Sequence, residues 1–488
     1  MKKRVLAFDF GASSGRAIVA EFDGETISFH EVHRFSNDPV DIGGTVYWDV
    51  QRLFFEIKQG LLKAKQDGGF DSVGIDTWGV DFGLLRKDGS LVENPVHYRD
   101  RRNEGMVDRS AAYMSRERMY ELTGIQFLDF NTVFQLLSLK ENRPYILDEA
   151  DTLLMMPDLL NYMLTGKKAT EYSIATTTQL VDLKTHDWSD EILSALGLPR
   201  RLLTPIVPTG SVIGTLHPAL CEELGLPAVP VVAVAEHDTQ SAVTATPSAA
   251  EDFIFISCGT WSLFGTETKE PIVSEKSRAM NITNEGGYGY STAFLKNICG
   301  LWLIQESRRQ WRREGTEYSY ADLEREALAA EPFRSFIDPD APEFGTMGDL
   351  PNRVREYCRK TGQPVPETVG QVMRCIYESL ALKYRRTFEE VCECTEKTYD
   401  RIHVMGGGTK DGLLLQMAAN SCGVTVYGGP IEATALGNIA VQLLACGAVK
   451  DIAEARAIIA RGEALRRFEP QDADRWEEAY RAFRAVIG

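Results

Sequence analysis

The chain has 488 residues and lacks any uninterrupted apolar run of the roughly 18 residues that a membrane-spanning helix needs. Basic residues at positions 2–4 followed by apolar ones are faintly similar to a signal peptide. Asp9 and Arg16 interrupt that run, however, and no cleavage-site pattern follows. We therefore expect a cytoplasmic protein with no membrane partner.

Paired cysteines are also missing. The nine cysteines are scattered and none forms a CxxC pair. The closest two, Cys392 and Cys394, have no histidine near them in the sequence. This pattern argues against a zinc site and favours cysteines that serve as buried apolar residues.

The chain has fewer basic than acidic residues, with 53 Lys and Arg against 70 Asp and Glu, which gives a formal net charge of −17. This balance argues against a nucleic acid or an anionic membrane as partner. It does not argue against ATP, because a local pocket with a divalent cation can outweigh the overall field. Hydrophobic residues at 44% and charged residues at 25% are typical of a globular protein.

The chain is too long for one hydrophobic core, and no low-complexity linker divides it. The pattern near the N-terminus predicts strands at 3–9, 16–22 and 26–35, a helix that begins after Asp49, and a buried strand at 72–76. Three hairpin-connected strands, a helix and a further strand are the opening of a ribonuclease-H-like α/β domain. A further hairpin is predicted to turn at 87–89.

The second half of the chain repeats this opening. An apolar strand at 253–257 runs into Cys258-Gly259-Thr260, and Gly259 follows Gly11 by 248 residues (259 − 11). Long helices are predicted at 368–391 and 433–446, and an exposed helix face at 305–313. We predict an α/β fold with two ribonuclease-H-like domains around a central cleft, comprising 1–247 and 248–488.

The sequence has neither a Walker A loop nor a dinucleotide GxGxxG motif. Instead, the first strand ends in an acidic turn of small residues, from Asp9 to Arg16. Its small residues, hydroxyls and arginine suit a phosphate group, although an ordinary tight turn uses the same residue types. A second glycine-rich turn, 406–408, lies between a predicted strand and a helix, a pattern typical of nucleotide sites.

A buried strand at 230–235 ends in Glu236-His237-Asp238-Thr239. Polar residues at such a strand end are expected to face a cleft, where Asp238 is suited to accept a proton from a substrate hydroxyl. The alternative is structural, with Asp238 or Thr239 capping the following helix.

Five segments in this order resemble the FGGY family of carbohydrate kinases: 9–16, 74–82, 236–239, 257–262 and 405–408. The resemblance runs from residue 4 to about 470. Three stretches are similar to one branch of the family that acts on ketoses: 76–82, 237–239, and 281–287 together with 295–298.

The resemblance implies a set of functional residues. The catalytic base is Asp238, and the metal position is Asp9, which holds Mg²⁺ through water. The sugar-binding residues are Gly79, His237, Asp238, Thr239 and Asn297. The ATP-binding residues are Ala12, Ser13, Ser14, Gly15, Arg16, Thr260, Gln305 and Gly407.

The implied reaction is the ATP-dependent phosphorylation of L-rhamnulose at O1, with release of ADP, in L-rhamnose catabolism. Another ketose such as L-fuculose or L-xylulose remains an alternative, and Gln240 departs from the small residue expected in the family. A non-catalytic sugar sensor on the same fold is a further alternative. Relatives also have cysteines at positions 358 and 375, which leaves open a disulfide there, and the protein is expected to be a monomer or homodimer.

Overall fold

The computed structural model describes residues 2–248, 250 and 252–488, and the chain divides into two units. The first comprises Met1–Ala249, Glu267–Phe294 and Ala433–Gly462, and the second comprises Ala250–Thr266, Leu295–Glu432 and Glu463–Gly488. Two segments from the second half of the sequence, including the helix predicted at 433–446, therefore belong to the first unit.

The first half of the chain combines strands with mostly short helices. Its strands are β1 (Lys3–Phe10), β2 (Ser14–Phe22), β3 (Ile27–Ser36), β4 (Val40–Ile42), β5 (Thr45–Tyr47), β6 (Ser72–Thr77), β7 (Phe82–Leu85), β8 (Thr152–Met155), β9 (Thr170–Glu171), β10 (Val181–Asp182), β11 (Asp187–Trp188), β12 (Ile206–Val207), β13 (Ser211–Thr215) and β14 (Pro230–Ala233). Its α-helices are α1 (Val50–Gln66), α2 (Met106–Ser110), α3 (Arg116–Thr123), α4 (Thr132–Asn142), α5 (Pro144–Glu149), α6 (Met156–Thr165), α7 (Tyr172–Thr176), α8 (Asp190–Leu196), α9 (Pro218–Leu224) and α10 (Asp238–Thr244).

The second half is richer in long helices. Its strands are β15 (Ile254–Cys258), β16 (Trp261–Thr268), β17 (Thr283–Gly286), β18 (Thr292–Cys299), β19 (Arg401–Met405), β20 (Thr425–Gly428) and β21 (Arg466–Phe468). Its α-helices are α11 (Glu275–Ala279), α12 (Trp302–Arg313), α13 (Tyr320–Ala329), α14 (Leu350–Lys360), α15 (Val369–Thr395), α16 (Gly412–Cys422), α17 (Ala433–Ala445), α18 (Ile452–Gly462) and α19 (Ala473–Ile487). No helix in the described ranges has both the length and the apolar character needed to cross a bilayer.

The first unit is built on a six-stranded sheet in the order β13-β14-β6-β1-β2-β3. The chain forms β1, β2 and β3 as antiparallel neighbours and then adds β6 parallel to β1 and β14 parallel to β6. Nearly every residue of β1 and β6 is buried, as expected for central strands covered on both faces. Asp49 caps α1 through the backbone N–H of Arg52 at 3.1 Å, at the predicted start of that helix.

The second unit repeats this topology. The strands β18, β16, β15, β19, β20 and β21 are successive neighbours in its sheet. Strand β15 pairs antiparallel with β16 and parallel with β19, just as β1 pairs with β2 and β6. The predicted α/β fold class and its internal repeat are therefore confirmed.

Two local predictions differ from the structure. The turn at 87–89 forms, but its two arms share only a single bridge, Leu85 with Leu91, and β7 pairs instead with the distant β8. After the turn the chain pairs instead with the segment around β5, where the N–H of His97 donates to the carbonyl of Val46 at 2.8 Å and the N–H of Trp48 donates to the carbonyl of Pro95 at 2.8 Å. The stretch 305–313, predicted as an exposed helix face, lies in α12 and buries Glu306, Ser307 and Trp311.

Candidate functional site

The turn between β1 and β2 holds the predicted phosphate-binding residues in a fixed loop. The N–H of Gly11 donates to the carbonyl of Ser14 at 2.9 Å, and the side chain of Asn37 donates to the carbonyl of Gly11 at 2.9 Å. A Cβ at Gly15 would lie 2.2 Å from the Phe35 ring, so only glycine fits there. Ser13 remains exposed at the tip, where its hydroxyl and the surrounding backbone are accessible to a ligand.

Asp9 and Arg16 are cross-strand partners at the base of this turn and form an ion pair at 2.5 Å. The Asp9 side chain is 10% exposed and that of Arg16 is 18% exposed. On the other side of β1, Asp9 is in register with Asp76 of β6. The sequence thus places two carboxyl groups and one guanidinium at adjoining strand ends.

Asp76 is fully buried, and the side-chain amide of Asn438 in α17 donates to it at 2.6 Å. Burial, followed by the nearby charge of Asp9, raises the pKa of Asp76 well above its usual range. Gln442, one turn further along α17, donates to the carbonyl of Leu6 in β1 at 3.1 Å. Two amide side chains therefore tie α17 to the strand ends of the first unit.

The predicted base, Asp238, is the first residue of α10, and its side chain is 32% exposed. His237 occupies the capping position, so neither Asp238 nor Thr239 is the cap. Burial raises the pKa of Asp238, the charge of His237 opposes that shift, and Asp9 reinforces it. A partly exposed carboxyl with a raised pKa suits proton acceptance from a hydroxyl group.

The predicted sugar contacts in the first unit lie around Asp238. Thr239 is buried and its hydroxyl donates to Asp238 at 3.2 Å. A Cβ at Gly79 would lie 3.3 Å from Nε2 of His237, so glycine permits the close approach of this turn. The next residue, Val80, has a φ of 66°, a strained conformation for a β-branched side chain. Gly79, His237, Asp238 and Thr239 thus lie close together at the start of α10.

An aromatic cluster supports the Gly79 turn. The buried carboxylate of Asp81 accepts hydrogen bonds from the indole N–H groups of Trp48 at 2.6 Å and Trp78 at 3.0 Å. It also accepts one from the amide of Gln135 at 3.1 Å. Burial raises the pKa of Asp81 to about 6, although these donors act to lower it. Trp78 is only 5% exposed and packs against Trp48, so most of its ring belongs to the core.

The predicted nucleotide-binding residues of the second unit converge on its own hairpin. The carbonyl of Thr260, in the turn between β15 and β16, accepts from the N–H of Trp302 at 3.1 Å, which fixes the start of α12 and its half-buried Gln305. A Cβ at Gly408 would lie 2.2 Å from Sγ of Cys258, so the glycine loop packs on the hairpin. Gly407 itself is exposed with open space around it. Backbone groups in such a loop are accessible to an anionic ligand.

Asn297 lies half-buried on β18, in the same unit as Thr260 and Gln305. Cys358 and Cys375, for which a disulfide remained open, are buried free thiols. Sequence reasoning missed Asn37, Asn438 and Glu285. The two amides of α17, four residues apart in an otherwise apolar helix, were a signal that could have identified Asn438.

The metal position fits a hydrated divalent cation. The described residues contain no group of three or more His, Cys, Asp or Glu that could form a protein-only metal site. Asp9 offers one carboxylate beside the phosphate turn, and Mg²⁺ commonly keeps several waters and binds through one or two carboxylates and the substrate phosphates. The chemistry of this donor set therefore suits Asp9 as an outer ligand of a nucleotide-bound cation.

The repeated fold, the two glycine-containing turns and the carboxyl at the start of α10 define a class of protein, the two-domain α/β phosphotransferases. Models of the FGGY family of carbohydrate kinases match the chain, the N-terminal domain at residues 4–245 and the C-terminal domain at 254–446. The chain belongs to this family, as its motifs predicted.

Curated relatives and solved structures agree with this assignment. A rhamnulokinase of Bacteroides thetaiotaomicron is 44% identical over 488 residues and covers 100% of both chains. A rhamnulokinase of Bacillus subtilis is 40% identical and covers 96% of each. Among solved structures, a ligand-bound xylulose kinase from Lactobacillus acidophilus matches with a TM-score of 0.83 at 16% identity, over 99% of this chain and 97% of that one. A Plasmodium falciparum glycerol kinase with ADP matches with a TM-score of 0.78 at 16% identity, over 99% and 97%.

Proposed function

We propose that this protein transfers the γ-phosphoryl group of ATP to O1 of L-rhamnulose, as a step in L-rhamnose catabolism. The choice of sugar is supported by full-length relatives that are 40–44% identical and are named rhamnulokinases. The proposed chemistry rests on Asp238, which is partly exposed and lies beside His237. It is also close enough to Asp9 for the charge of Asp9 to raise its pKa.

In this reaction the oxygen at C1 forms a bond to the γ-phosphorus while the bond to the bridging oxygen of ADP breaks. The hydroxyl proton passes to the Asp238 carboxylate, so atoms and charge balance with ADP as leaving group. His237, Thr239, Asn297 and the Gly79 turn are proposed to hold the sugar. Little covalent help is needed, because positioning and charge neutralisation supply most of the rate enhancement.

The nucleotide is proposed to bind through backbone and hydroxyl groups of the Ala12–Arg16 turn and through Thr260, Gln305 and Gly407. Arg16 supplies a fixed positive charge for a phosphate oxygen. Asp9 is proposed to orient a hydrated Mg²⁺, which when bound neutralises phosphate charge. A cytoplasmic location and a monomer or homodimer complete the proposal.

The test is ADP release, measured with a coupled assay over L-rhamnulose, L-fuculose and L-xylulose. We expect the highest kcat/KM with L-rhamnulose and a loss of kcat of about a thousandfold or more in Asp238→Ala, with sugar binding retained. Asp190→Asn is the control, since Asp190 is an exposed surface residue whose side chain is 86% accessible.

Each other outcome has a defined meaning. A preference for another ketose would reassign the substrate while keeping the kinase mechanism. Near-normal turnover in Asp238→Ala would contradict the role of the base. Sugar binding without any sugar-stimulated ADP release would favour the sensor.

A further inference from the structure

Glu285 is a buried carboxyl that the proposed reaction leaves unused. It lies on β17 and is 6% exposed. The strand around it is held in place, because the N–H of Gly286 donates to the hydroxyl of Thr176 at 2.9 Å and Asn284 donates to the carbonyl of Gly124 at 3.1 Å. A Cβ at Gly286 would lie 2.3 Å from the Tyr172 ring, so the strand packs tightly there. The Glu285 side chain therefore extends from a fixed backbone.

One oxygen of Glu285 contacts two side chains, that of His237 at the N-cap of α10 and that of Gln240 within α10. Oε2 lies 3.2 Å from Nδ1 of His237 and accepts a hydrogen bond from the amide of Gln240 at 3.3 Å. Among the described residues Nδ1 has no aligned hydrogen-bond partner, so its contact with Glu285 is electrostatic and is strongest when the imidazole is protonated. Gln240, which stands where a small residue is expected in the family, thus serves as a hydrogen-bond donor to Glu285.

The other ring nitrogen of His237 faces the proposed base. Nε2 lies 3.6 Å from Oδ1 of Asp238, beyond hydrogen-bond distance but within range of a strong charge interaction. The imidazole thus lies between a buried carboxylate and the reacting carboxylate. A positive charge at this place favours the ionised form of Asp238, which is the form that accepts a proton.

We propose that Glu285 is a positioning residue, which keeps His237 charged and directed at Asp238 so that the base is ionised at neutral pH. This rests on the proposed function for the identity of Asp238 as base. Burial acts to lower the pKa of His237, but Glu285, Asp238 and Glu171 together raise it. The charged groups that act on Asp238 are His237 and Asp9, and Asp76 lies close enough to be affected by Asp238 itself.

The experiment is an NMR titration of the histidines, of which the chain has seven, with the signal of His237 assigned by its loss in His237→Asn. In the unaltered protein His237 is expected to titrate above its ordinary value of 6.5. In Glu285→Gln the pKa is expected to fall by about one unit or more, because an opposite charge at such distances shifts a pKa by about that much. Glu117→Gln, which removes an exposed ion pair with Arg278, is the matched control and is expected to leave the signal unchanged.

This readout needs neither substrate nor activity, so it separates the inference from the proposed function. A His237 that titrates at or below 6.5 in the unaltered protein overturns the inference without any variant. An unchanged titration in folded Glu285→Gln does the same. If that variant does not fold, Glu285→Asp retains the charge at shorter reach, and an elevated pKa there supports the ion pair while a value at or below 6.5 contradicts it.

Activity supplies a second readout, with whichever ketose the enzyme accepts. In Glu285→Gln, His237 loses its charge about one pH unit lower, so kcat/KM is expected to fall between the two His237 pKa values and to match the unaltered protein at more acid and more alkaline pH. A uniform loss at every pH would indicate a structural effect and contradict the charge role. An inactive protein with an elevated, Glu285-dependent His237 pKa would overturn the proposed function and leave the ion pair intact.

Discussion

The side-chain amide of Asn438 lies 2.6 Å from Oδ2 of Asp76, a contact between residues 362 positions apart in the sequence. Both are fully buried in the first unit, and the other oxygen of Asp76 has no hydrogen-bond partner among the described residues. A buried carboxyl with a single donor depends heavily on that donor. This contact links α17, from the second half of the chain, to the strand whose end lies beside Asp9.

Asn438→Ala is expected to lower the free energy of unfolding by about 2 kcal/mol, because it leaves a buried carboxyl without its donor. The gain in helix propensity from alanine, about 0.5 kcal/mol, is too small to offset this. Denaturant unfolding followed by circular dichroism measures the change. Asn142→Ala, at an exposed position in α4, is the control and is expected to change stability little. Equal effects of the two substitutions would show that the Asp76 contact is not stabilising.

Arg16→Ala is expected to raise the KM for ATP about tenfold or more and to leave the KM for the sugar within about twofold. The reason is the loss of a charge-assisted hydrogen bond, worth about 1.5–3 kcal/mol, at the phosphate turn. Its cross-strand neighbour Arg34 is exposed and paired with Glu31, so Arg34→Ala is a matched control. An unchanged ATP KM and kcat in Arg16→Ala would contradict the phosphate role.

Local sequence patterns predicted the parts of the fold that depend on local physics. The β1–β2 turn, the Asp49 cap and the buried strand β14 all have strong local signals, and the repeat at Gly259 predicted the second unit's sheet. The family motifs added the roles of Asp238 and Arg16, which remain predictions.

What the sequence did not reveal depends on long-range contacts. Nothing near Glu285 indicates that it meets His237, 48 residues away (285 − 237), because that contact requires β17 to pack beside α10. The assignment of α17 to the first unit likewise depends on Asn438 and Gln442, whose partners lie more than 360 residues earlier. Periodicity indicates that a helix is buried but not against which strand.

Asp81→Asn is expected to change how stability depends on pH. Burial raises the pKa of Asp81 from 3.8 to about 6, so the folded state holds this proton more tightly than the unfolded state. The protonated Asp81 therefore stabilises the folded state by about 3 kcal/mol. This contribution is complete below pH 3.8 and is lost as the pH rises through 6. Asparagine does not titrate, so Asp81→Asn does not lose stability as the pH rises. Its free energy of unfolding, relative to that of the unaltered protein, should therefore rise by about 3 kcal/mol between pH 4 and 7.

Unfolding free energies measured at several pH values test this prediction, with Asp190→Asn as the exposed control. Parallel pH curves for Asp81→Asn and the unaltered protein would show that Asp81 titrates normally. The prediction concerns the slope, so any constant loss of stability from the altered hydrogen bonds to Trp48 and Trp78 does not affect it.

Helices α10 and α17 of the first unit touch backbone to backbone, because a Cβ built on Gly437 would lie 1.8 Å from the carbonyl oxygen of Ser241. The obstructing atom belongs to the main chain of α10, so it cannot move aside as a flexible side chain could. The helix that begins at Asp238 is thereby fixed in position by a residue that itself has no side chain.

Gly437→Ala is expected to destabilise the protein by about 3 kcal/mol, since overpacking costs about 1–3 kcal/mol and the clash here is severe. Alanine's better helix propensity returns only about 1 kcal/mol, so the clash dominates. Because α10 must shift, kcat should fall even at temperatures where the variant is folded. Gly462→Ala is the control, as Gly462 is also helical but has open space around it, and there alanine should be neutral or slightly stabilising. If both variants gain stability and retain full kcat, the contact between α10 and α17 does not position Asp238.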